Sequence, residues 1–259
     1  MPRCYFFDSD HLTGDSAILM EDLSKGRLGN SFARMSKADA ETAARPLAVF
    51  HAKWWGRTNL ERARWLPAPI DRAAIQAERF IPSGRTFLEK HGEEVDDEFR
   101  EAITLYGQKL IPILKAASNA PLTLIHGDIH TTNIFFDTEF RGSHVTLIDW
   151  PSAAHAKGVT GISCLTIHSL TVNMRRTIET NLLGLYHNTL VSEGGTGYSI
   201  EQCQADYRSG FLYPFYFKVM VLAFMDLNDE EGRIMAHMQI ERISAAIRDH
   251  NLVGLLRAM

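Results

Sequence analysis

The sequence lacks any hydrophobic run long enough to cross a membrane. The most apolar stretch, residues 211 to 225, is too short for a spanning helix and is interrupted by Pro214 and Lys218. The first residues also lack the apolar segment of a signal peptide. We therefore expect a buried helix over residues 211 to 225 and no membrane partner.

Cysteine and excess charge are scarce as well. The 3 cysteines, Cys4, Cys164 and Cys203, show no metal-site spacing and leave one thiol unpaired, which favours reduced thiols in the cytoplasm. A net charge of −4 provides no basic field, so we expect no nucleic-acid partner. With 45% hydrophobic residues, the 259-residue chain can form one large domain or a small lobe joined to a large one.

What the sequence does contain is polar residues placed directly after two short apolar runs. Residues 122 to 125 precede His126 and Asp128, and residues 145 to 148 precede Asp149. Runs of Val, Ile, Leu and Thr of this length are typical of short buried strands. The pattern therefore predicts two strand ends that both carry carboxylates.

A hairpin between these strands would fold the two carboxylates together. Residues 133 to 137 predict a further strand, and residues 137 to 142 are rich in turn formers. One of Asp128 and Asp149 can then act as a base. The other, with the amide oxygen of Asn133, offers the hard oxygen ligands that Mg²⁺ prefers.

Two other interpretations of these residues stay open at the sequence level. Asp128 and Asp149 can be ordinary turn or cap residues. The alternating pattern of His126, Asp128 and His130 can also belong to a metallohydrolase site, because His and Asp are good ligands for Zn²⁺ or Mn²⁺.

The central stretch resembles a known group of small-molecule kinases. His126-Gly-Asp-Ile-His-Thr-Thr-Asn133, followed by Ile148-Asp-Trp150, is similar to the catalytic and metal-binding segments of the aminoglycoside phosphotransferase and choline-kinase-like kinases, including ecdysteroid-kinase-like members. The resemblance implies a protein-kinase-like α+β fold with a mostly helical C-terminal lobe and a remnant of the N-terminal β lobe.

The same resemblance implies a site and a reaction. Asp128 would be the catalytic base that orients and deprotonates a substrate hydroxyl, with His126 in the same catalytic cluster. Asn133 and Asp149 would hold Mg²⁺ on the phosphates of ATP. The implied partner is a small hydroxylated substrate, and the activity is that of a phosphotransferase.

Residues 1 to 24 predict a hairpin of two strands. In the kinase frame they are a remnant of the nucleotide-binding lobe, and Met20, Glu21, Asp22 and Leu23 fall on the hinge that binds adenine. The implied division is a remnant lobe over residues 1 to 24 and a helical kinase-like lobe over residues 25 to 259.

The sequence has no candidate for the lysine that grips the phosphates in such kinases. The first lysine, Lys25, follows the hinge-like run, and Gly14, Gly26 and Gly29 do not form a phosphate loop between two strands. Loss of a preorganised cationic donor commonly costs ~3 kcal/mol of transition-state stabilisation. The alternative function is therefore a truncated, catalytically impaired homologue that acts as a binding module or is a gene remnant.

A reduced N-terminal lobe also predicts an open strand edge and an uncovered sheet face. Such surfaces favour self-association. Family members further brace the catalytic loop with an Asp that opens the next helix. Our alignment puts Gly161 at that position, so the bracing carboxylate is expected to be missing.

Helical periodicity covers much of the remaining chain. Ser36 predicts the N-cap of a helix over residues 36 to 65, on which His51 is expected to be a packed histidine. Residues 66 to 97 predict surface connectors with short helices, and residues 151 to 161 predict a loop. Further helices are predicted over 99 to 117, 162 to 173, 174 to 193, 199 to 226 and 229 to 257. Arg175 and Arg176 are expected to be a solvated pair.

Overall fold

The computed structural model describes residues 2–10, 12–30, 35–57, 63, 65–140 and 143–259. The strands are β1 (Cys4–Ser9), β2 (Ser16–Met20), β3 (Arg27–Leu28), β4 (Thr123–Ile125), β5 (Ile134–Phe140), β6 (Ser143–Leu147) and β7 (Ala154–Ala156). The helices are α1 (Lys37–Lys53), α2 (Ala73–His91), α3 (Asp97–Ala117), α4 (Thr160–Ser169), α5 (Val172–Ser192), α6 (Ile200–Gly210), α7 (Leu212–Phe224), α8 (Glu230–Asp249) and α9 (Leu252–Ala258). Helices therefore dominate the described chain.

Strands β1 and β2 form the predicted N-terminal hairpin, antiparallel and with Cys4 opposite Met20. Large apolar side chains are exposed along both strands, at Phe6 (54%), Phe7 (60%), Ile18 (55%) and Leu19 (61%). Because successive strand residues point to opposite faces, these exposed residues show that neither face of the hairpin is covered.

Two further small sheets frame the central stretch. The β5–β6 hairpin predicted from the sequence is present, with Ile134 opposite Leu147, and β3 joins it on the β5 side. Strand β4 pairs with β7, where Leu124 lies opposite His155. Residues 151 to 161, predicted to form a loop, contain strand β7, and all three of its residues are buried.

The helical part is built around α4, in which every residue is buried. A helix that is buried on all sides lies inside a core, so its sequence shows no amphipathic period. Around it, α1 packs on α5 and α2 packs on α7. Phe80 of α2, Tyr106 of α3 and Phe215 of α7 meet in one aromatic cluster of the core.

Side-chain caps explain where several helices begin. Ser36 accepts the Asp39 N–H at 3.0 Å, as the sequence predicted, and Ser199 accepts the Gln202 N–H at 3.2 Å. Asp96 caps α3 in the same way. Each cap satisfies a backbone donor that has no partner within the helix.

The structure corrects the bounds of three predicted helices. Helix α1 ends at Lys53 rather than at residue 65, because the chain turns at Gly56 with φ of +59°. The stretch predicted over 199 to 226 is two helices divided at Phe211, and the stretch over 229 to 257 is divided at Asn251, which has φ of +46°. Left-handed backbone cannot continue an α-helix.

Residues 66 to 97 hold the 19-residue helix α2 instead of surface connectors. Pro82 lies inside this helix, where it removes one backbone hydrogen bond. Burial of Phe80 and Phe87 on either side of Pro82 outweighs that loss. Among the described residues no helix is long and apolar enough to span a membrane, and the apolar helix α7 is packed into the core.

The two adjacent arginines of α5 have different environments. Arg175 is only 2% exposed, which corrects the expectation of a solvated pair, whereas Arg176 is half exposed. The Arg175 guanidinium pairs with Glu179 on its own helix and with Asp249 at the end of α8, and it contacts His250. This buried network joins α5 to α8.

Replacing these two arginines separately tests the network. We expect Arg175→Met to lower the free energy of unfolding by about 3–5 kcal/mol, because Glu179 and Asp249 lose a buried counter-ion. Arg176→Met, at the exposed neighbouring position, should leave stability almost unchanged. Urea unfolding followed by circular dichroism measures both variants, and equal losses would contradict the assignment of Arg175 as the buried link.

Candidate active site

Strand β4 ends at Ile125, directly before His126, and Gly127 then turns the chain sharply. Gly127 has φ of +86°, and a Cβ at this position would lie 2.0 Å from the Ser152 carbonyl oxygen. Only glycine fits such a position. The turn places Asp128 at the end of the strand, with its side chain 40% exposed.

His126 ties the two strand ends together. Its Nε2–H donates to the Ile148 carbonyl at 2.7 Å, and its Nδ1 accepts the Asp128 N–H at 3.3 Å. This pattern requires the neutral Nε2–H tautomer. Burial lowers the pKa of His126, in agreement with a neutral ring. The Trp150 ring covers the imidazole at 4.6 Å between centroids.

Asp128 lies in an environment that favours its ionised form. Its carboxylate is 3.4 Å from His130 Nε2. Partial burial opposes ionisation, but the contact with His130 and the positive charge of Lys218 outweigh it, so the pKa of Asp128 is lowered. Asp128 is therefore a carboxylate at neutral pH.

Asp149 and Asn133 lie beside this carboxylate. Asp149 is exposed and follows β6 with φ of +63°, and both Asp128 and Asp149 act electrostatically on the His126 ring. The Asn133 side chain donates through Nδ2 to the Asp128 backbone carbonyl at 3.0 Å. The Asn133 backbone carbonyl accepts the Ile148 N–H at 3.1 Å. The hairpin thus brings Asn133 near Asp149, and the hydrogen bonds of His126 and Asn133 join the end of β4, with Asp128, to it.

These oxygens fit Mg²⁺ better than they fit zinc. Mg²⁺ is usually held by one or two protein oxygens and completes its shell with water and substrate phosphates, which the exposed Asp149 and the neighbouring Asn133 allow. In the described part of the chain, no group of three or more His, Cys, Asp or Glu residues could hold a metal. Both ring nitrogens of His126 are already bonded, so the metallohydrolase interpretation has no support.

A serine rather than a carboxylate braces the loop that follows β4. Ser169, the last residue of α4, accepts the Thr131 N–H at 3.1 Å. Gly161 stands where family members are expected to have the bracing Asp, and it faces Leu47 and His51. Sequence analysis missed Ser169 because the bond spans 38 residues and a lone serine carries no spacing signal.

The proposed hinge residues form a separate part of the structure. Met20 ends β2, and residues 21 to 26 turn toward β3, which pairs with β5 of the central hairpin. Among the described residues, no hydrogen bond or ring contact joins this hinge segment (Met20, Glu21, Asp22 and Leu23) to His126, Asp128, Asn133 or Asp149. At Gly29 the chain then reaches the start of β5, where the Gly29 N–H donates to the Ile134 carbonyl.

His51 is the packed histidine that the sequence predicted. It is fully buried on α1, and its Nδ1 lies 2.9 Å from the Tyr186 hydroxyl. Burial lowers its pKa to about 3, so the ring stays neutral. This histidine belongs to the α1–α5 interface and not to the site.

Removing the Ser169 hydroxyl should loosen the loop that contains Thr131. We expect Ser169→Ala to cost about 1–3 kcal/mol, because the buried Thr131 N–H loses its acceptor. Amide hydrogen exchange at Thr131 should become faster. Ser163→Ala is the matched control, since Ser163 is buried on the same helix but donates to the Tyr207 carbonyl instead. Unchanged exchange at Thr131 in Ser169→Ala would rule out the brace.

Three solved structures share this fold at low identity. Choline kinase LicA from Streptococcus pneumoniae has a TM-score of 0.55 and 14% identity, over 97% of this chain and 74% of that one. An ethanolamine kinase from Plasmodium vivax has a TM-score of 0.56 and 13% identity, over 99% and 68%. The GDP complex of wild-type aminoglycoside 2'-phosphotransferase-IIIa has a TM-score of 0.54 and 14% identity, over 94% and 75%.

These similarities confirm the predicted protein-kinase-like fold with a mostly helical C-terminal lobe. No curated protein is detectably similar to the sequence. The family model that matches is that of the ecdysteroid kinase-like family, over residues 1–194. Because this match spans well over half of the 259 residues, the chain belongs to the ecdysteroid kinase-like family.

Proposed function

We propose that the protein transfers the terminal phosphoryl group of ATP to a hydroxyl of a small molecule, with Asp128 as the base. The observation that carries the proposal is an ionised Asp128 that the hydrogen bonds of His126 and Asn133 hold beside the β5–β6 hairpin, which leads to Asp149, in a member of a kinase-like family. Structures of the same fold include a choline kinase, an ethanolamine kinase and a GDP-bound aminoglycoside phosphotransferase, which supports a nucleotide and a small acceptor.

In the proposed step, Asp128 accepts the proton of the substrate hydroxyl while the hydroxyl oxygen bonds to the terminal phosphorus of ATP. The bond between that phosphorus and the bridging oxygen breaks, and ADP leaves with the electron pair. The proton then passes from Asp128 to solvent. His126 keeps the Asp128 backbone fixed through its Nδ1 and is therefore a positioning residue.

Asn133 and Asp149 are the residues that would hold magnesium. A bound Mg²⁺ would neutralise the charge of the nucleotide phosphates and orient them. The amide of Asn133 is fixed by its bond to the Asp128 carbonyl, so its position relative to the base is set before any nucleotide binds. The backbone of Met20, Glu21, Asp22 and Leu23 would contact the base of ATP.

Binding without phosphoryl transfer is the second candidate function. It is favoured by the composition of the hairpin, because neither β1 nor β2 contains a lysine that could contact the phosphates. In that case the chain would bind nucleotide or acceptor as an impaired homologue. The three free thiols, of which Cys164 and Cys203 are buried, support a reducing compartment such as the cytoplasm.

The uncovered hairpin is the surface on which we propose self-association. Its exposed Phe6, Phe7, Ile18 and Leu19 present apolar area on both faces. We expect a concentration-dependent increase in sedimentation coefficient, which Phe7→Lys should reduce without lowering the melting temperature. A concentration-independent monomer would disprove this association.

The role of Asp128 is tested by replacing its carboxylate. We expect Asp128→Asn to lower magnesium-dependent phosphoryl transfer from ATP by about 10²–10⁴-fold, because an amide cannot accept the hydroxyl proton. The thermal shift induced by ATP and magnesium should be retained. Transfer is measured as ADP release across a panel of hydroxylated compounds.

Asp137→Asn is the matched control. Asp137 is an exposed carboxylate on β5 and pairs only with the exposed Arg27 in the described structure, so its loss should not change the rate. Equal rates for Asp128→Asn and the unmodified protein would refute the proposal. A nucleotide-induced shift with no turnover on any compound would favour the binding function.

A further inference from the structure

A cavity next to Asp128 contains buried polar groups that lack partners. It has a volume of about 80 Å³, and its lining residues are His130, Thr131, His168, Lys218, Val221, Leu222, Met225, Met235 and Gln239. This volume exceeds the roughly 10–15 Å³ that one water molecule needs and suits a group of a few heavy atoms. His130, one of the lining residues, contacts the Asp128 carboxylate.

Unsatisfied polar atoms concentrate at this cavity. In the described part of the chain, six buried side-chain atoms lack a hydrogen-bond partner, and three of them are Nδ1 and Nε2 of His168 and Oε1 of Gln239. His168 and Gln239 are both only 5% exposed. Buried polar atoms in native proteins are almost always paired, so a cluster of unpaired ones indicates a ligand that supplies the partners.

The cavity is also positively charged. Lys218, on α7, makes no hydrogen bond and no ion pair among the described residues, and it interacts electrostatically with Asp128. Arg242, on α8, is 4% exposed and donates to the His168 carbonyl and to the Met238 sulfur, but to no carboxylate within the described chain. No Asp or Glu lines the cavity.

From this arrangement we propose that the cavity binds the carboxylate end of a small hydroxy acid, with Lys218 as the residue that determines specificity and the substrate hydroxyl directed to Asp128. A carboxylate would pair with the Lys218 ammonium and accept a hydrogen bond from His168, and the field of Arg242 adds to the attraction. An amine at the same position would face two cations without an anionic partner. This inference rests on the proposed phosphoryl transfer and adds the acceptor class.

The neutral state of His168 fits this role. Burial lowers the pKa of His168 well below its usual range, and the positive charges of Lys218 and Arg242 lower it further. A neutral imidazole offers one N–H donor and one acceptor nitrogen. The donor can bind a carboxylate oxygen, while the other nitrogen can accept from a second hydroxyl or a water.

Matched probes separate charge from shape. Glycolate, 3-hydroxypropanoate and 4-hydroxybutanoate carry the same hydroxyl as the corresponding hydroxy amides and amino alcohols and differ only at the other end. Binding is measured without nucleotide, by isothermal titration and ligand-observed NMR. We expect at least one carboxylate to bind about tenfold or more tightly than both of its counterparts.

Variants of Lys218 test which residue supplies the preference. Lys218→Met should abolish the tenfold preference for the carboxylate, and Lys218→Arg should keep most of it. Lys115→Met is the control, because Lys115 is an exposed lysine in the last turn of α3 and should leave binding unchanged. Lys218→Met removes an unpaired charge, so its melting temperature should not fall.

The outcomes distinguish this inference from the proposed function. It is overturned if the whole carboxylate series fails to bind, if an amine or amide binds equally well, or if Lys218→Met keeps the preference. Phosphorylation of amino alcohols without any carboxylate preference would overturn it and leave the kinase function intact. Carboxylate binding that depends on Lys218, without phosphoryl transfer from ATP, would support it and refute the kinase function.

Discussion

The arrangement of the site depends on the hydrogen bonds of a single imidazole. His126 donates to the Ile148 carbonyl and accepts from the Asp128 N–H, so one ring fixes the ends of β4 and β6 relative to each other. Neither strand belongs to the sheet of the other, because β4 pairs with β7 and β6 pairs with β5. Asn133 supports the same junction, because its side chain donates to the Asp128 carbonyl and its backbone carbonyl accepts the Ile148 N–H.

Burial and charge then give neighbouring groups opposite protonation behaviour. Burial keeps His126 and His168 neutral, whereas contact with His130 keeps Asp128 ionised despite its partial burial. The Asp128 carboxylate therefore lies near a cavity lined by the cationic Lys218 and the neutral His168. Such separation of protonation states within a few side chains is common in sites that perform acid–base chemistry.

The sequence predicted those parts of the site that depend on local pattern. Strand-end polar residues and the turn-rich segment between β5 and β6 were sufficient to predict the hairpin that carries Asn133 and leads to Asp149. Ser169, Lys218 and His168 could not be found in this way, because they reach the site from α4 and α7 through contacts distant in sequence. Helix α2 was missed for a different reason, since Pro82 is a strong local breaker and only the buried Phe80 and Phe87 show why the helix continues.

Helix α8 contacts one buried arginine at its C-terminal end and carries another nearer its middle, and the two arginines have different partners. At its C-terminal end, Asp249 neutralises the buried Arg175 of α5, and the ion pair joins two helices. Nearer its middle, Arg242 is equally buried but has only the His168 carbonyl and a sulfur as partners in the described structure. A buried cation without a counter-ion costs free energy. Its position beside Lys218 is explained if the missing negative charge comes from a ligand, and the stability of the α5–α8 interface can therefore change independently of binding in the cavity.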